Sequence, residues 1–261
     1  MVSVKAVAIG GTVTAVVVII VVVVPSVLLT GQKEDFRETF MRKCLEFPEE
    51  KQICENKWAA FKQAYIGKDK CSIIEENYDK LFAETPFKHP CSKTMFWSKT
   101  YELVHKYTEK TECLFTLEDT LLGYVLNGLS WCGEPGSNET LTDKCEDCRP
   151  NPVNSFWQVA SRKFALHACE GASVMLDGER TEPYDSNSFF GSVEVPSLQS
   201  PQVKSLTVVL VNKESGRNCT CEALGSLRKD LDSRIGCTCK AVSKSQVEKC
   251  IEDDTPCGTC W

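Results

Sequence analysis

Sixteen cysteines lie between Cys44 and Cys260, and none occurs in the first 43 residues. Cytosolic thiols are kept reduced, so this density points to an oxidising compartment in which disulfides persist and fix the chain. Zinc is the competing explanation, because C-T-C occurs at 219–221 and 237–239 and C-x-x-C at 145–148 and 257–260. Zinc sites often also draw on histidine, and none of His89, His105 and His167 stands at ligand spacing. Disulfides are therefore the expectation, with no metal site.

The first 43 residues explain the compartment. Residues 6–24 carry no charge over 19 positions, close to the ~20 that a membrane helix needs. A cleaved signal peptide has a shorter apolar core and a small-x-small cleavage site, whereas PSVLLTG follows here. Lys5 precedes the segment; Lys33, Glu34, Asp35 and Arg37 follow it. The expected layout is a cytoplasmic tail (1–5), a transmembrane signal anchor (6–30), a stalk (31–43) and an extracellular body (44–261). That is a single-pass type II cell-membrane protein, with a cleaved signal as the alternative. Two sequons, at Asn138 and Asn218, suit a glycosylated ectodomain. The net charge of −6 excludes a basic nucleic-acid-binding surface.

Within the body, residues 44–131 read as mainly helical. WAAFKQAYIG (58–67) sets Trp58, Phe61 and Tyr65 on one helical face, a core stripe. IIEENYDKLF (73–82), FWSKTYELVHKYT (96–108) and TLEDTLLGYVLNGL (116–129) read as further helices. Residues 132–152 read as a disulfide-tied loop, and 154–169 as another helix. After it come short β-rich runs at 172–178, 189–195, 206–212 and 237–242, with a helix expected at 222–235. Strands alternating with helices suggest a small parallel sheet. The expected fold is α+β or α/β: a helical N-terminal half packed on a small, mostly parallel-sheet C-terminal half, stapled by disulfides behind an N-terminal transmembrane helix.

Three aromatic-rich stretches and one acidic strand end could meet at a cleft: MFWSK (95–99), FTLEDTLLGY (115–124), NSFWQVASRKF (154–164) and SFFGSVEV (188–195). Glu118 and Asp119 open an apolar run, where Thr116 as N-cap and Asp119 at N3 form a variant capping box. That alone accounts for the acids as a helix start. Glu194 falls at the end of a predicted strand, a usual position for ligand groups in open α/β sheets. Trp97 and Trp157 offer flat faces for a cationic heteroaromatic ring, or else are buried core.

TLEDTLLGY, WCGE (131–134), NPVxxFWxxxSRxF (151–164) and FFGSVEV together resemble the ADP-ribosyl cyclase / NAD glycohydrolase family, over residues 40 to 260. The resemblance implies a membrane ectoenzyme that cleaves the nicotinamide–ribose bond of NAD. Its products would be nicotinamide with cyclic ADP-ribose or ADP-ribose, and it would also hydrolyse cyclic ADP-ribose, feeding calcium signalling. NAD and cyclic ADP-ribose are the implied ligands, no cofactor or metal is implied, and a homodimer is admitted. Glu194 matches the catalytic glutamate. Glu118 matches the acid beside the nicotinamide, which sets the balance between hydrolysis and cyclisation, and Asp119 a supporting acid. Trp97 and Trp157 match the stacking tryptophans; Ser98, Ser161, Arg162 and Phe190 match pyrophosphate- and ribose-binding positions.

Three residues depart from the family's vertebrate leukocyte-surface member. Lys99 replaces an arginine, Asn127 an acid that helps hold nicotinamide, and Phe189 a threonine, where an invertebrate cyclase carries phenylalanine. The aromatic at 189 implies a higher cyclic share of product. The implied bridges are Cys44–Cys54, Cys71–Cys148, Cys91–Cys169 and Cys132–Cys145. One of Cys219 and Cys221 would pair with one of Cys237 and Cys239, with a second bridge open to the remaining two. Cys250 would pair with Cys257 or Cys260, leaving Cys113 and one tail cysteine joined or free. The rival reading is a receptor or adhesion ectodomain on the same scaffold.

Overall fold

Four short strands, all parallel, organise the chain in a computed structural model that describes residues 35–47, 53–214, 219–253 and 260–261. The expected anchor at 6–30, part of the stalk and the sequon at Asn218 lie outside these residues. Among those described, no helix is long and apolar enough to cross a membrane. Asp35–Trp261 makes one compact unit.

In chain order the elements are α1 (Phe36–Glu46), α2 (Cys54–Tyr65), α3 (Asp79–Glu84), β1 (Thr94–Ser98), α4 (Tyr101–Thr111), α5 (Leu121–Leu126) and α6 (Pro152–His167). Then follow β2 (Glu170–Asp177), α7 (Val195–Ser197), β3 (Val203–Asn212), α8 (Leu227–Asp230), β4 (Gly236–Ser243) and α9 (Lys244–Glu252). The sheet order is β1-β2-β3-β4. Parallel pairing needs a crossover between strands, and the intervening segments supply one each time.

The register places Phe96, Val174, Val208 and Cys239 in one cross-strand row, and Trp97, Met175 and Val209 in the next. Successive residues on a strand face opposite ways, so the two rows feed two cores. The first row joins Phe156, Val159 and Phe164 of α6 and the aromatic cluster of α1 and α2. The second joins Leu103, Val104 and Tyr107 of α4 with Val247 and Cys250 of α9. Cover on both faces explains why β3 reads as a continuous apolar run, VVLV, and not as an alternation.

The expected aromatic stripe on α2 is core: Trp58, Phe61 and Tyr65 are buried with Phe36, Phe40 and Trp131. Each such ring removed from water contributes ~1.5–3 kcal/mol. The polar handles are satisfied, since Trp131 Nε1 donates to Tyr78 Oη at 2.9 Å, and that hydroxyl donates to the Pro152 carbonyl at 2.8 Å.

All four implied bridges form: Cys44–Cys54, Cys71–Cys148, Cys91–Cys169 and Cys132–Cys145. The doubled C-T-C motifs pair twice, as Cys219–Cys239 and Cys221–Cys237, and Cys250 pairs with Cys260. Cys113 is disulfide-bonded as well, and so is not a free thiol.

Five expectations are corrected. TLEDTLLGYVLNGL, expected as one helix over 116–129, is a turn at Leu117–Asp119 and then α5, parted at Thr120, whose ψ of 159° is extended. IIEENYDKLF, expected as a helix over 73–82, is a tighter turn at Glu75–Tyr78 and becomes α-helical only from Asp79. FWSKTYELVHKYT is not one helix: residues 94–98 form the edge strand β1, so the sheet draws a strand from the N-terminal half. Lys99, in the left-handed region at φ 63°, turns the chain into α4. FFGSVEV is not a strand. Phe190–Glu194 is a helical turn that runs into α7, because Ser188 caps it: its Oγ accepts from Gly191 N at 3.0 Å, and its carbonyl accepts from Ser192 N at 2.8 Å. The helix expected at 222–235 shrinks to α8, since Gly225 adopts φ 63° and interrupts it.

Candidate active site

A cavity of about 620 Å³ opens beside β1 and α6. Ser98, the last residue of β1, and Lys99 form part of its rim, the C-terminal strand end where open parallel sheets hold ligands. Trp157, Ser161 and Phe164 share one face of α6 at i, i+4 and i+7 spacing and line another wall. The helix is set by its own start: Pro152 opens it, and the Asn151 side chain accepts from Asn154 N at 2.8 Å.

Glu118 comes from a single helical turn, Leu117–Asp119. Asp119 Oδ2 accepts from Thr116 N at 2.7 Å and from Thr116 Oγ1 at 2.8 Å, which closes the turn as the capping reading anticipated. Thr120 Oγ1 donates to the Leu117 carbonyl at 2.6 Å. Gly123 of α5 packs so tightly on this turn that a Cβ there would lie 1.9 Å from Leu117 O. Glu118 therefore projects into the cavity from a fixed backbone. Trp97 Nε1 donates to its Oε2 at 3.1 Å, and His105 Nε2 lies 3.9 Å from the same oxygen.

Glu194 sits on the turn before α7, only 7% exposed, and still lines the cavity. Burial pushes its carboxyl up to about 8; a hydrogen bond with Ser161 opposes that rise, and the Glu118 charge adds to it. A buried, proton-holding carboxyl and the side chain of a second glutamate thus face one cavity.

Ten of the twelve sequence candidates meet here: Trp97, Ser98, Lys99, Glu118, Asn127, Trp157, Ser161, Phe189, Phe190 and Glu194. Asn127 Nδ2 donates to Tyr101 Oη at 2.9 Å, and Phe189 is 43% exposed at the cavity wall. Two candidates stand elsewhere. Asp119 is turned to the other side of its helical turn, where it lines a second cavity. Arg162 follows Ser161 on α6 and so points away from the cavity, exposed and paired with Glu75.

Sequence reasoning passed over Tyr101, Ser130, Glu146, Asn187 and Ser188, which also line the cavity. Tyr101 stacks edge-on with Trp97 at 5.4 Å and with His105 at 4.3 Å. Its i, i+4 spacing with His105 was the available signal. Glu146 comes from the disulfide-tied loop, where no periodicity marks orientation.

A family model described as ADP-ribosyl cyclase matches residues 33–259. The mouse ADP-ribosyl cyclase/cyclic ADP-ribose hydrolase 1 is 38% identical over 212 residues, 76% of this chain and 70% of that protein. Porcine CD38, solved with a covalent intermediate, superimposes with a TM-score of 0.73 at 39% identity, covering 80% of this chain and 96% of that one. Aplysia cyclase, solved with its substrate NGD and product cGDPR, gives 0.70 at 26% identity, covering 87% and 96%. On this match along nearly its whole described body, the chain belongs to the ADP-ribosyl cyclase family.

Proposed function

We propose that this cavity cleaves the nicotinamide–ribose bond of NAD, releasing nicotinamide and leaving cyclic ADP-ribose or ADP-ribose, and that it also hydrolyses cyclic ADP-ribose. The enzyme is an NAD glycohydrolase and ADP-ribosyl cyclase, and NAD is its substrate. The observation that carries the reading is the buried Glu194 in a cavity that also presents two indoles and a second carboxylate.

The chemistry follows from charge. Nicotinamide in NAD is a cationic leaving group, so it departs neutral and needs no proton. Positive charge builds at the ribose anomeric carbon as the C–N bond breaks and its electron pair passes to the pyridine nitrogen. An ionised Glu194 facing that carbon stabilises the oxocarbenium-like state, and low exposure strengthens the effect. The cationic substrate favours the carboxylate over its protonated form, so binding itself helps to ionise Glu194.

Porcine CD38 has been captured with a covalent intermediate. By that likeness we assign to Glu194 the attack on the anomeric carbon, with an O–C bond forming as the C–N bond breaks. Adenine N1 or water then attacks the same carbon and expels the carboxylate; with water, a proton is lost and ADP-ribose results. Cyclic ADP-ribose carries a ribosylated, cationic adenine, so the same two steps open it. We assign the pyridine to the Trp97 and Trp157 faces, its carboxamide to Glu118 and Asn127, and phosphate contacts to Ser98 and Lys99. As an ammonium, Lys99 offers a point charge where a guanidinium would offer a fork.

The disulfides among the described residues and the uncharged 6–24 segment support a body outside the cytosol, anchored by residues 6–30. Asn138 is exposed in its disulfide-tied loop and accessible to a glycan. The deciding experiment incubates residues 32–261 with NAD and with its guanine analogue NGD, beside Glu194→Gln. Nicotinamide release by the native chain and its loss in the variant are expected. Undiminished release in the variant would overturn the assignment.

A further inference from the structure

The turn that carries Glu118 has a second cavity behind it, of about 310 Å³, at the lower end of the range for small-molecule sites. Its walls are largely apolar and aromatic: Phe47, Phe87, Phe115, Leu121 and Leu122, with Pro86 and Pro90. Five polar side chains also line it: Thr85, Lys88, His89, Asp119 and Thr120. Thr85 is 7% exposed, and its hydroxyl has no hydrogen-bond partner among the described residues. The same holds for both ring nitrogens of His89, each buried. Buried polar atoms are nearly always paired, so a hydroxyl and an imidazole left without partners on one apolar cavity are unusual. Each of these atoms is turned inward as the side chains stand, so an occupant meets the hydroxyl, the ring N–H and the ring nitrogen acceptor once Thr85 and His89 rotate toward the cavity.

The charge balance decides the kind of occupant. Burial, with His167 beside it, pushes the His89 imidazole down to about 4, so it is neutral at physiological pH. The two charged residues on the wall, Lys88 and Asp119, have opposite sign, and one Asp119 oxygen is already engaged by Thr116. An ion of either sign finds no matching cluster. A planar ring with a single neutral hydrogen-bonding group fits both the aromatic walls and the Thr85–His89 pair.

The position matters as much as the lining. Leu117 and Glu118 face the catalytic cavity, while Asp119, Thr120 and Leu121 face this one. Gly123 and the Thr120 hydroxyl lock the turn between them, so a displacement on one side is carried to the other. We propose that the Thr85–His89 cavity is a regulatory site for a neutral one- or two-ring aromatic bearing a hydroxyl, and that its occupancy moves Glu118 and changes the division between cyclic and open product. The regulatory part rests on the NAD-cleaving reading; the binding part does not.

The test uses the full-length chain with 2-naphthol as probe, reading binding by saturation-transfer NMR and products by chromatography. Binding is expected to be non-competitive with NAD, and to shift the cyclic-to-open ratio at least about twofold. Thr85→Val should weaken binding about five- to tenfold, the effect of one hydrogen bond, and Thr85→Ser should restore it. Without probe, both variants should release nicotinamide as the native chain does, which reports that they are folded. Binding that competes with NAD, is indifferent to Thr85→Val, or leaves the product ratio fixed would overturn the proposal, as would no binding at all. Absence of nicotinamide release without probe would instead overturn the NAD-cleaving reading, while the binding result would still stand.

Discussion

Glu194→Gln is expected to stabilise the folded chain at neutral pH while abolishing catalysis. A glutamate ionises near 4.5 in the unfolded chain, whereas burial holds Glu194 protonated up to about 8 in the fold. Below pH 4.5 both states carry the proton and no penalty arises. As pH rises above 4.5 the unfolded state gives up its proton and the folded state does not. Native stability is therefore lost progressively between about 4.5 and 8, then no further. At pH 7 the interval is 7 − 4.5, or roughly 2.5 units at 1.36 kcal/mol each, about 3 kcal/mol. Glutamine never ionises and escapes that loss. Disturbing the hydrogen bond with Ser161 returns about 1 kcal/mol, leaving a net gain of about 2.

For a body of this size that gain corresponds to a melting-temperature rise of roughly 4–8 °C at pH 7, shrinking to zero or slightly below at pH 4. Thermal melts of both proteins from pH 4 to 8, without substrate, measure it. A gap that is independent of pH, or a variant less stable than the native chain at pH 7.5, would refute the reasoning about a buried, proton-holding carboxyl.

The same group predicts that kcat/KM for NAD climbs with pH toward about 8; Glu118→Gln should move that limb to lower pH by removing a like charge, as a pH–rate profile would show. Phe189→Thr should lower the cyclic share of product on NAD and NGD, because an aromatic on the cavity wall helps hold adenine over the ribose. Product chromatography checks this, and an unchanged ratio counts against it. Gly123→Ala should cost more than about 2 kcal/mol and depress activity together with stability, since its Cβ would lie 1.9 Å from Leu117 O beneath Glu118; chemical denaturation and nicotinamide release measure both.

What remained hidden in the sequence had local causes. Residues 189–195 carry the apolar and β-branched pattern of a strand, yet Ser188 caps a helical turn there, and a Cβ on Gly191 would lie 2.4 Å from Asp185 O. Glu194 was found by its string, although the element assigned to it was wrong. Residues 96–98 read as the start of a helix, and Trp97, Tyr101 and His105 do recur at helical spacing. They do lie together, but Trp97 reaches the others from a strand across the turn at Lys99.

The amino-acid sequence determined the covalent frame and the chemical inventory. Cysteine density required disulfides, and apolar runs interrupted by turns required a covered parallel sheet. The acids and indoles of the family strings supplied the reactive groups. Only the tertiary structure decided which groups act together. Glu118 and Asp119 are adjacent in the chain, yet the turn sends them to different cavities; Ser161 and Arg162 part in the same way around α6. The physical reason is that a side chain's direction and its burial, and hence the proton affinity of Glu194, depend on neighbours brought from distant segments.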